Sequence, residues 1–440
     1  MSSNRVIGIL KKFINTLAIL IIAGIAGFAL LLGAFMIPGQ YAQENVGKSI
    51  NTIKEQGRYP NLVPWTFSML DTYTDSVMLL SAMYEGDERL QDKALMDYKY
   101  ENINMEPEFS IVSYFEDGKQ DMEVTSYAKY WHGYIVFLRP LLSFMTYDAI
   151  RIVNTIVQIL LCGWIVWLLY KKSLKKFIVP FVLSVVTLTP IAIGWCLQFS
   201  AVYYIALIGC IIILLNSDRW KDTDKYIYFF LITGICTSYL DLLTFPLVTY
   251  GIPMVMAILT DKNDSVSKTW KKCIQYLIYW GIGYVGMWAM KWGISSIAAS
   301  GFNMGDVIYS LLYRSAGSTD EGIKCSYIMV LIRNAGVFAL NPVIIIIFAY
   351  IVLNIKKIYK NKSMKIFWNY VKMYAVPLLL PLVWYLGTRN HSYIHCEFTY
   401  REWAMTAFAG LFALTCTLVD INPENEKDKY VALEKDKTNG

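Results

Sequence analysis

The stretch LAILIIAGIAGFALLLGAFMI, residues 17–37, decides how the rest of the chain is read. It holds no charged side chain and is as long as the roughly 20 apolar residues a helix needs to cross a bilayer core. Arg5, Lys11 and Lys12 precede it, the charge order of a signal peptide. The run is too long for a signal-peptide core, however, and no small-residue cleavage pattern follows in residues 39–43. It therefore reads as an uncleaved first span that leaves the cytoplasm.

The whole chain supports that start. Of 440 residues, 56% are hydrophobic and 17% charged, and mean hydropathy is +0.40. A soluble domain is less apolar and spreads its charge more evenly. Further apolar runs fall at residues 150–170, 177–196, 200–216, 226–242, 244–260, 273–296, 328–354, 366–387 and 402–420. The expected fold is an all-α membrane protein, a polytopic bundle of about ten transmembrane helices with a large outer loop after the first span. The net charge of +6 does not point to nucleic acid, because the Lys and Arg residues cluster between the apolar runs, where they set orientation. KKSLKK at 171–176 and KKIYKNKSMK at 356–365 mark cytoplasmic connections, as do the mixed segments 217–225 and 261–272. Both termini are then cytoplasmic and the protein is a multi-pass protein of the plasma membrane. The divisions are 1–37, the tail and first span; 38–149, the extracytoplasmic loop; 150–420, the bundle; and 421–440, a cytoplasmic tail.

Residues 38–129 carry sixteen acidic and eight basic side chains. So long a connection must hold structure of its own. Residues 65–84, after Pro64, read as one helix, and 85–121 as polar surface loops. Residues 130–147 are apolar but are interrupted by His132, Arg139 and Pro140, which suits a re-entrant or interfacial helix. Most of the eight cysteines lie in or beside apolar runs and act as small hydrophobes; only Cys325 and Cys396 could meet outside as a disulfide.

Charges at membrane depth are expensive and mark function or a partner. Asp71 and Asp75, in LDTYTDSVMLL, are four apart and share a helical face. Two carboxylates beside apolar surface repel, so one pKa rises, as a general base requires; a solvated helix face is the plain alternative. His132, Arg139 and Arg151 form a second group, able to grip a phosphate or simply to reach lipid headgroups. Asp241, in SYLDLLTFP, stands at a turn where it could serve function or cap a broken helix. The last group is RNHSYIHCEFTYR, residues 389–401, with Arg389, His391, His395 and Arg401. Its two histidines have metal-ligand spacing, but neighbouring arginines favour an anionic head group. No metal site and no cofactor is assigned, although a divalent metal stays open.

The order of these features resembles the GT-C glycosyltransferases. An Asp-bearing loop after the first span is followed by HGYIVFLRPLL (132–142), then by a span opening Arg151-Ile152-Val153-Asn154. In that family the similar segment has Pro after the His; here it is Gly133, and the acids are spaced rather than adjacent. The resemblance implies a polyprenyl-phosphate-linked sugar as donor, entering from the lipid bilayer. It implies an extracytoplasmic glycan, glycolipid or protein as acceptor, and inverting transfer with Asp71 or Asp75 as base. The donor phosphate would lie among Arg139, Arg151, Arg389 and Arg401, with His391 and His395 nearby. Rival classes are a transporter or flippase for lipid-linked glycans, a polysaccharide polymerase or ligase, a membrane acyltransferase with His132 as base, and a non-catalytic scaffold.

Overall fold

A computed structural model describes residues 3–221, 223–261 and 264–421. The tail expected beyond 421 lies outside the described residues. The protein is predominantly helical. Helix α1 (Ser3–Phe35) is followed by a cap of short elements. These are α2 (Gly39–Gly47), α3 (Ile50–Gln56), α4 (Thr72–Ala82), α5 (Leu90–Met96), β1 (Tyr98–Glu101), α6 (Pro107–Glu116), β2 (Glu123–Ser126) and α7 (Ile135–Leu142). Strands β1 and β2 pair antiparallel, with Tyr98 opposite Ser126.

The cap corrects two expectations. Residues 65–84 are not one helix: a short 3-10 turn, Thr66–Ser68, is separated from α4 by extended backbone, because Asp71 caps α4 through the Thr74 amide. Residues 85–121 are not mere surface loops, since Ala94, Leu95, Ile111 and Val112 enter the cap's core. Within residues 130–147, expected as a re-entrant or interfacial helix, only 135–142 form the short α7, and Tyr147 already opens the next helix.

Beyond the cap come α8 (Tyr147–Lys171), α9 (Ile178–Thr187), α10 (Pro190–Trp195), α11 (Leu197–Trp220), α12 (Lys225–Leu240), α13 (Val248–Thr260) and α14 (Val266–Ala298). Then follow α15 (Met304–Ser315), α16 (Tyr327–Ala339), α17 (Val343–Lys360), α18 (Met364–Met373), α19 (Ala375–Gly387), α20 (Arg389–Ile394), α21 (Cys396–Thr399) and α22 (Trp403–Ile421).

By length and composition, Val6–Phe35, Tyr147–Lys171, Leu197–Trp220 and Cys396–Ile421 can each cross a membrane. Two bent pairs bring that to six: α16 with α17, at 90°, and α18 with α19, at 52°. Proline explains both bends, with Pro342 between the first pair and Pro377 in the first turn of α19. Helices α9 and α10 are parted at Thr189, whose φ is +58°, just before Pro190. Helix α13 has only 13 residues, nearly all buried among its neighbours. Side chains such as Ile22, Ile159, Leu160, Ile345 and Phe348 stand exposed on long helices, which suits hydrocarbon rather than water.

Close helix contact needs small residues. A Cβ on Gly234 of α12 would come within 2.0 Å of the Trp280 carbonyl of α14, and one on Gly283 within 2.1 Å of the Leu231 carbonyl. Backbone therefore meets backbone at this crossing. The cap is fixed to α14 by Trp131, fully buried, whose indole Nε1 donates to the Met287 carbonyl at 2.7 Å. Lys291 of α14 reaches back to the Leu95 carbonyl. Gly133 is required here: its amide donates to the Tyr239 carbonyl at 2.9 Å, and a Cβ would lie 2.4 Å from that oxygen. Proline offers neither the donor nor the space.

Candidate functional site

Most of the singled-out residues gather at the cap end of the bundle, in two neighbouring clusters. The first forms where α4 meets the start of α11. Asp75 is 1% exposed, yet its carboxylate is well supplied: it accepts from the Leu197 amide at 3.0 Å, the Gln198 amide at 3.1 Å and the Tyr147 hydroxyl at 2.7 Å. It therefore caps the N-terminus of α11, where the helix dipole favours a negative charge. Burial pushes its pKa up, and these three donors pull against that rise. Among the described residues the carboxylate of Asp71 accepts only from Thr74, from its amide at 2.8 Å and its hydroxyl at 2.9 Å. Burial raises Asp71 to about 7, with the Asp75 charge adding to the rise. Of the two, Asp71 is the one poised to exchange a proton near neutral pH.

Cys196 connects this pair to Arg401, and Arg151 bears on Asp75 directly. The Cys196 sulfur lies 3.6 Å from Asp75 Oδ1 and within electrostatic reach of Arg401. The Arg401 guanidinium stacks 4.3 Å from the centre of the Phe199 ring, and its Nε donates to the Leu188 carbonyl at 2.9 Å. Arg151 is fully buried between Tyr147 and Trp195, with Nε and Nη2 unpaired among the described residues.

The second cluster surrounds the start of α13. Asp241 closes a turn by accepting from the Thr244 amide and hydroxyl. It also lies within electrostatic reach of Glu402, a fully buried residue. Glu402 Oε1 accepts from the Leu247 amide at 3.2 Å, while Oε2 has no partner among the described residues. His391 Nε2 donates to the Leu243 carbonyl at 2.7 Å, and the His395 ring is 4.8 Å from that of His391. Burial and the nearby Arg314 charge push His395 down to about 4, so it is neutral at pH 7. Phe398 and Phe245 bridge the clusters through Phe199.

Three expectations on placement are corrected. Arg139 cannot hold a phosphate where it stands. Its guanidinium donates to the carbonyls of Ile37, Ala82 and Tyr84, at 2.9, 3.0 and 2.8 Å, and to Glu85 Oε2 at 3.1 Å. It ties the end of α1 to the end of α4, and every branch of its fork is used. His132 lies apart, in a buried cap network. Its Nε2 donates to the Tyr127 carbonyl at 2.7 Å, so the neutral ring's Nδ1 is an acceptor, 3.3 Å from Asp97 Oδ2. Burial lowers His132 to about 3 and raises Asp97 to about 7. Arg389 lies beside Gly317 and near Cys325, where Arg333 also bears, and makes no contact with Arg139, Arg151 or Arg401 among the described residues. Cys325 and Cys396 are both free and buried. Among the described residues no three His, Cys, Asp or Glu side chains group as metal ligands.

Glu402, Asp97 and Cys196 escaped the sequence reading. Glu402 had a signal, since it directly follows Arg401 in a segment already dense with charge. Asp97 had none, as one acid among sixteen.

Beside the first cluster runs an apolar groove of about 950 Å³. Helix α11 is its floor, through Ala201 and Ile208, and α8 and α12 are its walls, through Val157 and Ile232. One end reaches Met78 and Leu197, next to Asp75; the other reaches Trp220 and Lys225. No family model matches the chain, and no match is found among curated proteins or solved structures.

Proposed function

We propose that the protein is an integral membrane glycosyltransferase with about ten spans, its N-terminus cytoplasmic and its cap outside. It would transfer a sugar from a polyprenyl-phosphate donor to an extracytoplasmic glycan, glycolipid or protein. What carries this reading is the groove: a long apolar trough, open along the helices, that ends beside a buried pair of acids. A hydrocarbon chain lying in it would set its phosphate near Arg151, whose unpaired nitrogens are fit to meet an anion.

In the proposed reaction an acceptor hydroxyl attacks the anomeric carbon on the face opposite the phosphate. The bond from that carbon to the phosphate oxygen breaks, and polyprenyl phosphate leaves. The hydroxyl proton passes to Asp71. Arg151 and Arg401 stabilise charge on the leaving group, the larger part of the task in such transfers. Asp75 holds α11 in place and is a positioning residue.

The test is sugar transfer by protein in nanodiscs, from radiolabelled polyprenyl-phosphate sugars to a membrane extract. Asp71→Asn should lower transfer about 10²–10⁴-fold, the usual contribution of a general base. Transfer by Asp71→Asn at the wild-type rate, or no transfer from any donor, overturns the reading. One observation favours a second reading, a lipid transporter: the groove continues as far as Lys225, the whole length of α11. Movement of labelled lipid between leaflets, insensitive to Asp71→Asn, would select it.

A further inference from the structure

Two cations at the mouth of the second cluster have no role in the reaction above. Tyr127 and Tyr130 have ring centres 5.7 Å apart, and Tyr130 meets Trp288 edge-on at 6.1 Å. Lys129 Nζ lies 5.3 Å from the centre of the Tyr127 ring, and Arg314 Cζ lies 4.9 Å from that of Tyr130. The two positive groups thus occupy adjacent aromatic faces. Both residues are half-buried, and neither pairs with a carboxylate among the described residues; Asp306 alone bears weakly on Lys129. Burial and the Arg314 charge both lower Lys129, so the two cations lie close enough for one to act on the other. Lys99 also approaches Tyr127, but it is neutralised by Glu101 at 3.4 Å. In the same wall the buried Trp288 Nε1 has no acceptor among the described residues.

Like charges held together away from bulk water cost free energy, which an anion between them recovers. A donor without an acceptor adds to the same demand. We propose that Lys129, Arg314 and Trp288 form an anion site that takes a phosphate group. It is separate from Arg151, which lies beside the groove. Assigning this phosphate to the acceptor, and the one near Arg151 to the donor, rests on the transfer reading; the site itself does not.

The phosphate has two possible sources, a lipid headgroup or a soluble molecule. Helix α15, which carries Arg314, turns Val307 and Ser310 inward and leaves Ile308, Tyr309 and Leu312 exposed. That is the pattern of a helix lying along a membrane surface, which sets the site at headgroup depth.

The experiment is calorimetric titration of the full chain, in phosphatidylcholine nanodiscs with and without phosphatidylglycerol, using inorganic pyrophosphate as probe. Wild type should bind it, and Arg314→Gln and Lys129→Gln should each weaken binding about tenfold, one charge-assisted contact apiece. The surface change Lys324→Gln should leave binding unaltered. Competition by phosphatidylglycerol would support the site and name a headgroup as its occupant; binding indifferent to phosphatidylglycerol would support it for a soluble phosphate. No binding in either disc, or equal binding by the double variant with an unchanged melting temperature, overturns the proposal. Phosphate binding that persists when no sugar transfer can be found would remove the transfer reading and leave the site standing.

Discussion

Asp75 and Leu197 are joined by a 3.0 Å hydrogen bond in which the first amide of α11 donates to a fully buried carboxylate. The Tyr147 hydroxyl completes the arrangement from α8. Asp71, four residues earlier, caps α4 through Thr74. Two acids that look alike in sequence thus differ in what depends on them.

Conservative substitution should separate them. Asn is as good an N-cap as Asp and carries no charge to bury, so Asp71→Asn should not lower stability. Asp75→Asn turns an amide donor toward the amides of α11 and removes the charge that its three donors satisfy. It should cost about 1.5–3 kcal/mol, the usual worth of a hydrogen bond to a charged group. Thermal unfolding in detergent would read the difference. Equal melting temperatures for the two variants would contradict the assignment of Asp75 to α11.

The pH dependence follows from Asp71. Its carboxyl is raised to about 7, mainly by burial. A base must be ionised to accept a proton, so transfer should rise with pH and level off above about 7. Stability runs the other way. The raised group binds its proton more tightly folded than unfolded, so its contribution is full below the unfolded value near 3.9 and is lost as pH rises through about 7. Asp71→Asn should flatten the stability slope between those limits. A transfer profile without an acid limb would show that another group is the base.

The four to six helices able to cross a membrane and the nearness of the two acids were legible because they are local: twenty apolar residues, or two acids one turn apart, carry their meaning in their spacing. Arg139 was not legible. Its interrupted apolar segment suggested a phosphate ligand, yet its partners are carbonyls of Ile37, Ala82 and Tyr84 on other elements. No spacing rule reports such contacts. Gly133 was only half legible, a departure from a family pattern until Tyr239 was found pressed against it. Lys129 and Arg314, far apart in the chain, become a pair only through two tyrosine rings.

Arg139 should therefore behave as a structural clasp. Arg139→Ala leaves three carbonyls without a donor and Glu85 without its cation, which should cost about 3–5 kcal/mol. Arg139→Lys should recover only part of this, because an ammonium group cannot reproduce the planar fork that reaches both helix ends. Melting temperature and protease sensitivity of the cap would both report the loss. A stable Arg139→Ala variant with weakened donor binding would instead return this residue to the phosphate.

The groove can be tested without touching an ionisable group. Ile208 lies on its floor, roughly 16 Å along α11 from Leu197. Ile208→Trp would place a larger ring where a lipid chain is proposed to lie, with no loss of a side-chain hydrogen bond. Under the proposed transfer it should raise KM for a long-chain donor about tenfold or more, the cost of losing roughly two buried methylene contacts. A donor cut to one or two isoprene units, too short to reach Ile208, should keep its wild-type KM. That contrast separates a blocked chain from a damaged site, because damage would affect both donors. If the long-chain donor is used equally well by Ile208→Trp, the chain lies elsewhere, and the argument that links this groove to Asp71 fails with it.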